Sequence, residues 1–133
     1  QLDQLRPDVL VLGGSDVAVR REIALLPTSA TVVVIDLRRY ERWVLEMHVA
    51  LTERGIWTAG LTDSMLSPIA ARSAATFLVS AGSEGPFDSH VGTLALLNLI
   101  AARAAGELRA SATDRLATIE AAWRAHRTLI DAD

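Results

Sequence analysis

The sequence has no cysteine and no lysine, and each absence removes a class of chemistry. Without cysteine the chain has no disulfide, no thiolate metal site and no thiolate nucleophile. Without lysine it has neither a Schiff-base amine nor the lysine of a phosphate-binding P-loop. All 13 basic residues are therefore arginines, whose planar guanidinium group binds a carboxylate or a phosphate through two parallel hydrogen bonds.

Long apolar runs and a surplus of positive charge are also missing. Asn98 and Arg103 interrupt the best candidate for a membrane span, so no run reaches the roughly 18 residues that a span needs. The net charge is −3, and the arginines do not form the basic stripe that is typical of a nucleic-acid-binding surface. We therefore expect a cytoplasmic domain that does not hold DNA by itself.

Length and composition indicate one soluble domain. Half of the 133 residues are hydrophobic and 22% are charged, and a chain of this length can bury a substantial core. We expect residues 1–133 to be a single domain of a longer protein, since Gln1 is not an ordinary N-terminal residue. The three tryptophans, Trp43, Trp57 and Trp123, are interpreted as packing residues, with Trp123 a possible anchor of a subunit interface.

Four apolar runs bounded by turn residues predict four strands. They lie near Val9–Leu12, Ala30–Ile35, Trp57–Leu61 and Thr76–Val79. Segments with helical spacing separate them, and this alternation predicts a three-layer α/β fold, in which helices cover both faces of a parallel sheet. Each crossover between strands is expected to be right-handed.

The predicted helices are amphipathic or begin at recognisable caps. In chain order they cover residues 16–26, 41–54, a short stretch from 67 onward, 89–105 and 113–129. The helix over 89–105 is apolar on more faces than one sheet can cover, so we expect a second surface to close it. The last helix carries a stripe formed by Leu116, Ile119, Trp123 and Ile130. We predict a homodimer whose interface includes these two helices.

The stretch Ile56–Ala71 places a polar segment between a buried strand and a helix start. Ser67 is a good N-cap and Pro68 suits the first helical position, so the helix is expected to point its N-terminus at the polar segment Thr62–Ser64. Parallel sheets bind ligands at the carboxyl ends of their strands, and a helix N-terminus there favours an anion.

Two motifs in and beyond this stretch are T-D-S-M-L-S-P-I-A at Thr62–Ala70 and G-P-F-D-S at Gly85–Ser89. With an apolar strand between them and a long apolar helix behind them, they resemble the sugar isomerase (SIS) domain. The likeness is to the C-terminal effector domain of RpiR-type bacterial transcriptional regulators, and R-R-Y at Arg38–Tyr40 fits that subgroup. It covers roughly Asp8 to Ala105.

The resemblance implies a flavodoxin-like sheet of five parallel strands, with two serine-rich loops that hold a sugar phosphate. Only one helix separates Ser15 from the strand that ends at Asp36, so the run Asp8–Leu12 matches the second strand of the family. The first strand, and a helix-turn-helix domain, are then expected upstream of Gln1. At Asp36–Glu41 the chain has D-L-R-R-Y-E in place of the second serine loop.

Seven residues near the expected strand ends are candidate ligand contacts: Arg38, Arg39, Thr62, Asp63, Ser64, Ser83 and Ser89. The arginines suit an anion, unless they are solvated or bound to Glu41 and Glu22. Asp63 suits a sugar hydroxyl, unless it only forms a turn. Tyr40 either lines the same pocket or covers the end of the sheet.

Catalysis is not expected. Glu84 and His90 flank the last loop, where an isomerase would place its base, but they are better explained as an exposed loop carboxylate and a histidine in the first turn of a helix. No metal motif and no cofactor motif is present, so we expect neither.

The resemblance implies a ligand-sensing and dimerisation domain of an RpiR-type transcriptional regulator. It would bind a phosphosugar or similar small anion at the strand ends and would reach DNA only through the upstream domain. Two alternatives remain open: a phosphosugar isomerase, and a degenerate SIS scaffold that dimerises without a ligand.

Overall fold

The structure is a computed structural model, and it describes residues 1–127. The chain forms two compact units. One unit is Leu12–Leu96, and the other joins Gln1–Val11 to the chain from Leu97 onward.

A parallel sheet forms the centre of the unit Leu12–Leu96. Its strands are β1 (Thr31–Ile35), β2 (Trp57–Thr62) and β3 (Ala75–Leu78), and they lie side by side in the order β1-β2-β3. All five residues of β1 are β-branched, which suits a pleated and partly buried surface. All but the first residue of the central strand β2 are buried. The predicted α/β class, with a parallel sheet and flanking helices, is therefore confirmed.

Two helices pack against one face of this sheet. They are α2 (Asp16–Leu25) and α3 (Arg42–Glu53), and they enclose a core formed by Val19, Ile23, Val34, Met47, Leu51, Ile56 and Ile69. The Ser15 hydroxyl accepts a hydrogen bond from the Ala18 N–H at 3.3 Å and so caps α2. The Arg54 guanidinium donates to the carbonyls of Ile23 and Leu26, which fixes the end of α3 to the end of α2.

The opposite face of the sheet carries apolar side chains that remain partly exposed. Because side chains alternate along a strand, Val33, Trp57 and Phe77 share this face, and they are 43%, 47% and 40% exposed. Trp57 was predicted to be a packing residue, as was Trp43, which is also exposed and donates its indole N–H to the Glu41 carboxylate. These two tryptophans are therefore only partly covered in the described structure.

The strand predicted near Val9–Leu12 is also wrong. In the described structure these residues pair with no strand, and Val9, Leu10 and Val11 are exposed. An apolar run becomes a strand only where a neighbour completes its backbone hydrogen bonds, and β1 is paired with β2 alone. Asp8 has a left-handed backbone with φ of 62°, which further departs from a strand.

The short helix predicted at Ser67 is instead a run of turns over residues 68–72. Ser67 does act as a cap, because its buried hydroxyl accepts a hydrogen bond from the Ala70 N–H at 3.2 Å. One helical turn is too short to sustain a helix, and β3 begins at Ala75. The segment therefore offers no helix N-terminus to an anion.

This run of turns packs directly on β2 at Gly60. A Cβ atom at that position would lie 2.6 Å from the Ser73 hydroxyl oxygen and 2.7 Å from Ile69 Cγ2. A buried polar group lies next to it: His48 Nε2 is 3.1 Å from the Thr58 hydroxyl and 3.3 Å from that of Ser73. Burial, and then the charge of Arg72, lower the pKa of His48.

The last helices of the described chain are α4 (Val91–Glu107) and α5 (Arg109–Ala125). Both were predicted, but Gly106 lies inside α4 and does not end it. In the unit that holds the chain ends, α1 (Leu2–Leu5) packs on α5, and Arg115 Nε donates to the Asp3 carbonyl at 2.9 Å. The predicted helix end at Leu129 and the stripe residue Ile130 lie outside the described residues.

A membrane span was not expected from the sequence. Within residues 1–127, no single helix has the length and apolar character to cross a bilayer. Only α4 and α5 taken together meet that measure, and they are bent by 105° at the break between them.

Candidate ligand site at the strand ends

The carboxyl ends of the three strands are held level by backbone hydrogen bonds that continue past the strands. The Asp36 N–H donates to the Leu61 carbonyl at 3.1 Å, and the Val79 N–H donates to the Thr62 carbonyl at 2.9 Å. The loops that follow β1 and β2 therefore begin at the same edge of the sheet. This edge is formed by the carboxyl ends of the strands and not by an outer strand, and it is where ligands bind in parallel α/β sheets.

Tyr40 joins these two loops. Its hydroxyl donates a hydrogen bond to Asp63 Oδ1 at 3.0 Å, and both side chains are half-buried. Burial raises the pKa of Tyr40, and the hydrogen bond to the Asp63 carboxylate raises it further, because a negative neighbour opposes ionisation of the phenol.

Asp36 is the buried carboxylate of the same edge. It is 8% exposed, and its Oδ2 accepts a hydrogen bond from the Glu41 N–H at 3.1 Å, just before α3 begins. Burial raises the pKa of Asp36, the Glu41 N–H opposes that effect, and the charges of Glu41 and Asp63 reinforce it. The two aspartates are therefore electrostatic neighbours.

Thr62 is the last residue of β2 and directly precedes Asp63. The residue is fully buried, and its Oγ1 has no hydrogen-bond partner within residues 1–127. The Thr62 hydroxyl lies beside that of Tyr40 and favours the ionised phenol, although the two groups do not meet in a well-formed hydrogen bond. We call Asp36, Tyr40, Thr62 and Asp63 the polar cluster.

The two candidate arginines follow β1 in the same loop. Arg38 is about half exposed and forms an ion pair of 2.5 Å with Asp88, so its partner is neither Glu41 nor Glu22. Asp88 lies just before α4, and the pair therefore links the β1 loop to that segment. Arg39 is exposed, has a left-handed backbone with φ of 68° and makes no ion pair in the described part of the chain.

The candidate serines mainly stabilise their own turns. Ser64 Oγ accepts from the Leu66 N–H at 3.1 Å, and the Ser83 hydroxyl donates to the Phe87 carbonyl at 2.5 Å. Ser89 Oγ accepts from the Val91 N–H at 3.4 Å at the start of α4. Ser64 directly follows Asp63, and Ser89 directly follows Asp88, which binds Arg38. No hydrogen bond within residues 1–127 joins Ser83 to the loops at the carboxyl ends of the strands.

The two residues weighed as an acid–base pair lie apart from this arrangement. Glu84 and His90 are both exposed, and no hydrogen bond within residues 1–127 joins them to each other or to the polar cluster. The part of the chain that the structure describes also holds no group of three metal-ligating side chains.

A solved structure has the same fold. It is the sugar isomerase domain of the RpiR transcription factor from Sphaerobacter thermophilus, with a TM-score of 0.78 and 29% sequence identity over 90% of this chain. This chain has the fold of a sugar isomerase domain. The resemblance to RpiR-type regulators that the sequence predicted is thereby confirmed.

The chain spans 66% of the length of the solved chain to which it is similar. No family model matches the sequence, and no curated protein matches it. The similarity is therefore shown by the three-dimensional arrangement of the chain.

Two members of the polar cluster, Asp36 and Tyr40, were not among the seven candidate ligand contacts selected from the sequence. Asp36 directly follows a predicted strand, so the rule that selected Asp63 also applies to it. Tyr40 was weighed both as a residue that lines the pocket and as a cover for the sheet end, and nothing local showed that its hydroxyl would meet a carboxylate 23 residues away. The position of Asp36 was thus available from the sequence, whereas the partner of Tyr40 was not.

Proposed function

We propose that this chain is the ligand-sensing and dimerisation domain of an RpiR-type transcriptional regulator in the cytoplasm. Its ligand is a phosphosugar or a similar small anion, bound at the carboxyl ends of the strands. The observation that carries the proposal is the similarity to the sugar isomerase domain of an RpiR transcription factor. DNA is contacted through another domain, and the chain is not an enzyme.

The anionic part of the ligand is assigned to Arg38 and Arg39. Arg38 is held by one ion pair with Asp88 at the surface, and such pairs contribute only about 0–1 kcal/mol. A phosphate that offers two oxygens to a guanidinium group can displace this carboxylate. Arg39 is exposed in the same loop and supplies a second positive charge.

Displacement of Asp88 also provides a route for the signal. Asp88 lies three residues before Val91, the first residue of α4, so a ligand that takes Arg38 away from Asp88 changes the contacts of the segment that leads into this helix. A ligand shifts a two-state equilibrium by its differential affinity for the two states. The two states proposed are two arrangements of a homodimer.

Dimerisation is supported by apolar side chains that face solvent on the C-terminal helices. Val91, Leu94 and Leu99 of α4 are 74%, 61% and 58% exposed, and Leu116 of α5 is 40% exposed. Monomeric proteins rarely expose large apolar patches, and symmetric dimers are the commonest way to cover them. Within the unit Leu12–Leu96, the sheet face that carries Trp57 also exposes apolar side chains.

The isomerase alternative receives less support, because Glu84 and His90 form no acid–base pair with the polar cluster. A scaffold without a ligand remains the alternative that binding measurements address. It predicts that no anion binds near Arg38 and Arg39.

Titration calorimetry with inorganic phosphate and with glucose 6-phosphate tests the proposal. We expect binding to the unmodified chain and loss of binding in the double variant Arg38→Ala, Arg39→Ala. The matched control is Arg20→Ala, Arg21→Ala, because these residues form a second adjacent pair, on α2, with ion pairs to Asp16, Glu46 and Glu22. Equal affinity of the two double variants would place the anion elsewhere, and no binding to any chain would favour the scaffold.

A further inference from the structure

We propose that the polar cluster is a hydroxyl-binding subsite, which takes neighbouring hydroxyl groups of the ligand and orients them toward the sheet. The inference rests on the proposed function, because the ligand is the same molecule. It assigns to Asp36, Tyr40, Thr62 and Asp63 the recognition of the sugar itself, as distinct from its anionic group.

The first argument is the balance of donors and acceptors. Two carboxylates offer four oxygens, of which Asp36 Oδ2 accepts from the Glu41 N–H and Asp63 Oδ1 accepts from Tyr40. The other two oxygens accept no hydrogen bond within residues 1–127. The cluster therefore has more acceptors than donors, and a ligand that fits it must bring O–H or N–H groups.

The second argument is the hydroxyl of Thr62. It is fully enclosed, it lies beside the Tyr40 hydroxyl, and it has no partner in the described chain. A buried polar group without a partner is costly, and such groups are uncommon in folded proteins. The Thr62 hydroxyl lies within an acceptor-rich cluster, at the edge of the sheet where the ligand is proposed to bind. A ligand hydroxyl that takes the place of the Tyr40 hydroxyl can both donate to the Asp63 carboxylate and accept from Thr62.

The third argument concerns the ligand's charge. Asp36 and Asp63 place two carboxylates at this end of the sheet, and because like charges repel, they oppose a further negative group beside them. The arginines lie on the exposed part of the β1 loop, where Arg38 faces Asp88. An anionic ligand therefore binds with its hydroxyls in the polar cluster and its phosphate on the solvent side.

Tyr40 already shows the contact that is proposed. Its hydroxyl donates to Asp63 Oδ1 at 3.0 Å, which is the hydrogen bond that a sugar hydroxyl would make there. An aromatic alcohol and a sugar alcohol are both O–H donors of similar geometry. The ligand either adds a donor to the remaining carboxylate oxygens or takes the place of Tyr40 on Asp63.

The test compares inorganic phosphate with glucose 6-phosphate by calorimetry on the unmodified chain, Thr62→Val and Asp63→Ala. We expect the unmodified chain to bind the sugar phosphate at least about tenfold more tightly than phosphate, as one hydrogen bond to a charged group allows. Both variants should lose most of this advantage and keep their affinity for phosphate. Equal affinity for the two probes in the unmodified chain, or an unchanged advantage in both variants, overturns the inference.

Thermal unfolding separates lost binding from lost folding. Thr62→Val removes a buried hydroxyl without a partner, so its Tm in the absence of ligand should rise while its preference for the sugar falls. The control is Thr93→Val, because Thr93 Oγ1 is also buried without a partner in the described residues but belongs to α4. The Thr93→Val variant should gain stability and keep its preference for glucose 6-phosphate over phosphate. If Thr93→Val loses the sugar preference as fully as Thr62→Val, the assignment to the cluster is wrong.

Two further outcomes are informative. If phosphate binds to Arg38 and Arg39 but the sugar adds nothing, the proposed function survives and the hydroxyl-binding subsite is overturned. If glucosamine 6-phosphate binds far more tightly than glucose 6-phosphate, the cluster recognises an ammonium group and the assignment to hydroxyls is overturned.

Discussion

The Tyr40 hydroxyl donates a hydrogen bond to Asp63 Oδ1 and so joins the loop after β1 to the end of β2, 23 residues further along the chain. This contact brings the loop that carries both candidate arginines to the carboxylate of Asp63, which directly follows the central strand. It is a side-chain link at the edge of the sheet where the ligand is proposed to bind.

Titration of Tyr40 tests this contact directly, because the chain contains one tyrosine. Burial and the Asp63 carboxylate both raise the pKa of Tyr40 above its ordinary value of 10.0. The tyrosinate absorbance should therefore appear at a higher pH than in a free tyrosine, and Asp63→Asn should lower the midpoint. Asp88→Asn is the control, because Asp88 binds Arg38, and it should leave the midpoint in place. An unmoved midpoint in Asp63→Asn would contradict the contact.

Gly60→Ala should destabilise the fold, because its Cβ atom would approach the Ser73 hydroxyl oxygen and Ile69 Cγ2 to 2.6 and 2.7 Å. Overpacking of this kind costs about 1–3 kcal/mol of unfolding free energy, which urea denaturation measures. Gly106→Ala is the matched control, since it lies in α4 with nothing within 4 Å of the added atom. It should stabilise the chain by up to about 1 kcal/mol. Equal effects would show that the turn over residues 68–72 does not pack on β2 as described.

The buried His48 should make stability depend on pH. Burial, and then Arg72, lower the pKa of His48, so the folded chain keeps it neutral at pH values where the unfolded chain binds a proton. The unfolding free energy should therefore be retained above the ordinary pKa of 6.5 and should fall as the pH drops from there toward the lower pKa of the folded state.

Urea denaturation at a series of pH values measures this loss. His48→Gln should flatten the decline below about pH 6.5, whereas His90→Gln should preserve it, because His90 is exposed. A decline that is identical in the two variants would assign the pH dependence to other groups.

The homodimer is tested by equilibrium sedimentation. We expect the unmodified chain to be dimeric at micromolar concentration and Leu99→Asp to be monomeric, because burial of one large apolar side chain contributes about 1.5–3 kcal/mol. Leu99 is 58% exposed, so the change should leave the fold of each subunit intact. Leu25→Asp is the control: Leu25 is 73% exposed on α2, and this variant should remain dimeric. A monomeric unmodified chain would refute the proposal.

The strands show where prediction from sequence succeeds and where it stops. β1 and β2 are contiguous apolar runs between turn residues, and they were placed to within one residue. The run at Val9–Leu12 has the same local character, yet it pairs with no strand in the described structure. An apolar run becomes a strand only when it pairs with a neighbouring strand. The residues of the run do not specify whether such a neighbour is present.

The site shows the same division. Thr62 and Asp63 were selected because they follow a buried strand, and Arg38 and Arg39 because they follow another. That Arg38 meets Asp88, 50 residues away, and does not meet Glu41, depends on the path of two loops. That the Thr62 hydroxyl is left without a partner depends on every side chain around it.

By itself, the sequence determined the α/β class, the parallel strands β1, β2 and β3, the caps at Ser15 and Ser67 and the resemblance to the sugar isomerase domain, because each depends on residues close together in the chain. Tertiary structure alone decided that the Tyr40 hydroxyl meets Asp63, that Arg38 meets Asp88 and that Thr62 Oγ1 has no hydrogen-bond partner within residues 1–127. The physical reason is that strand register and loop path set distances between side chains far apart in sequence. Local propensity does not specify those distances.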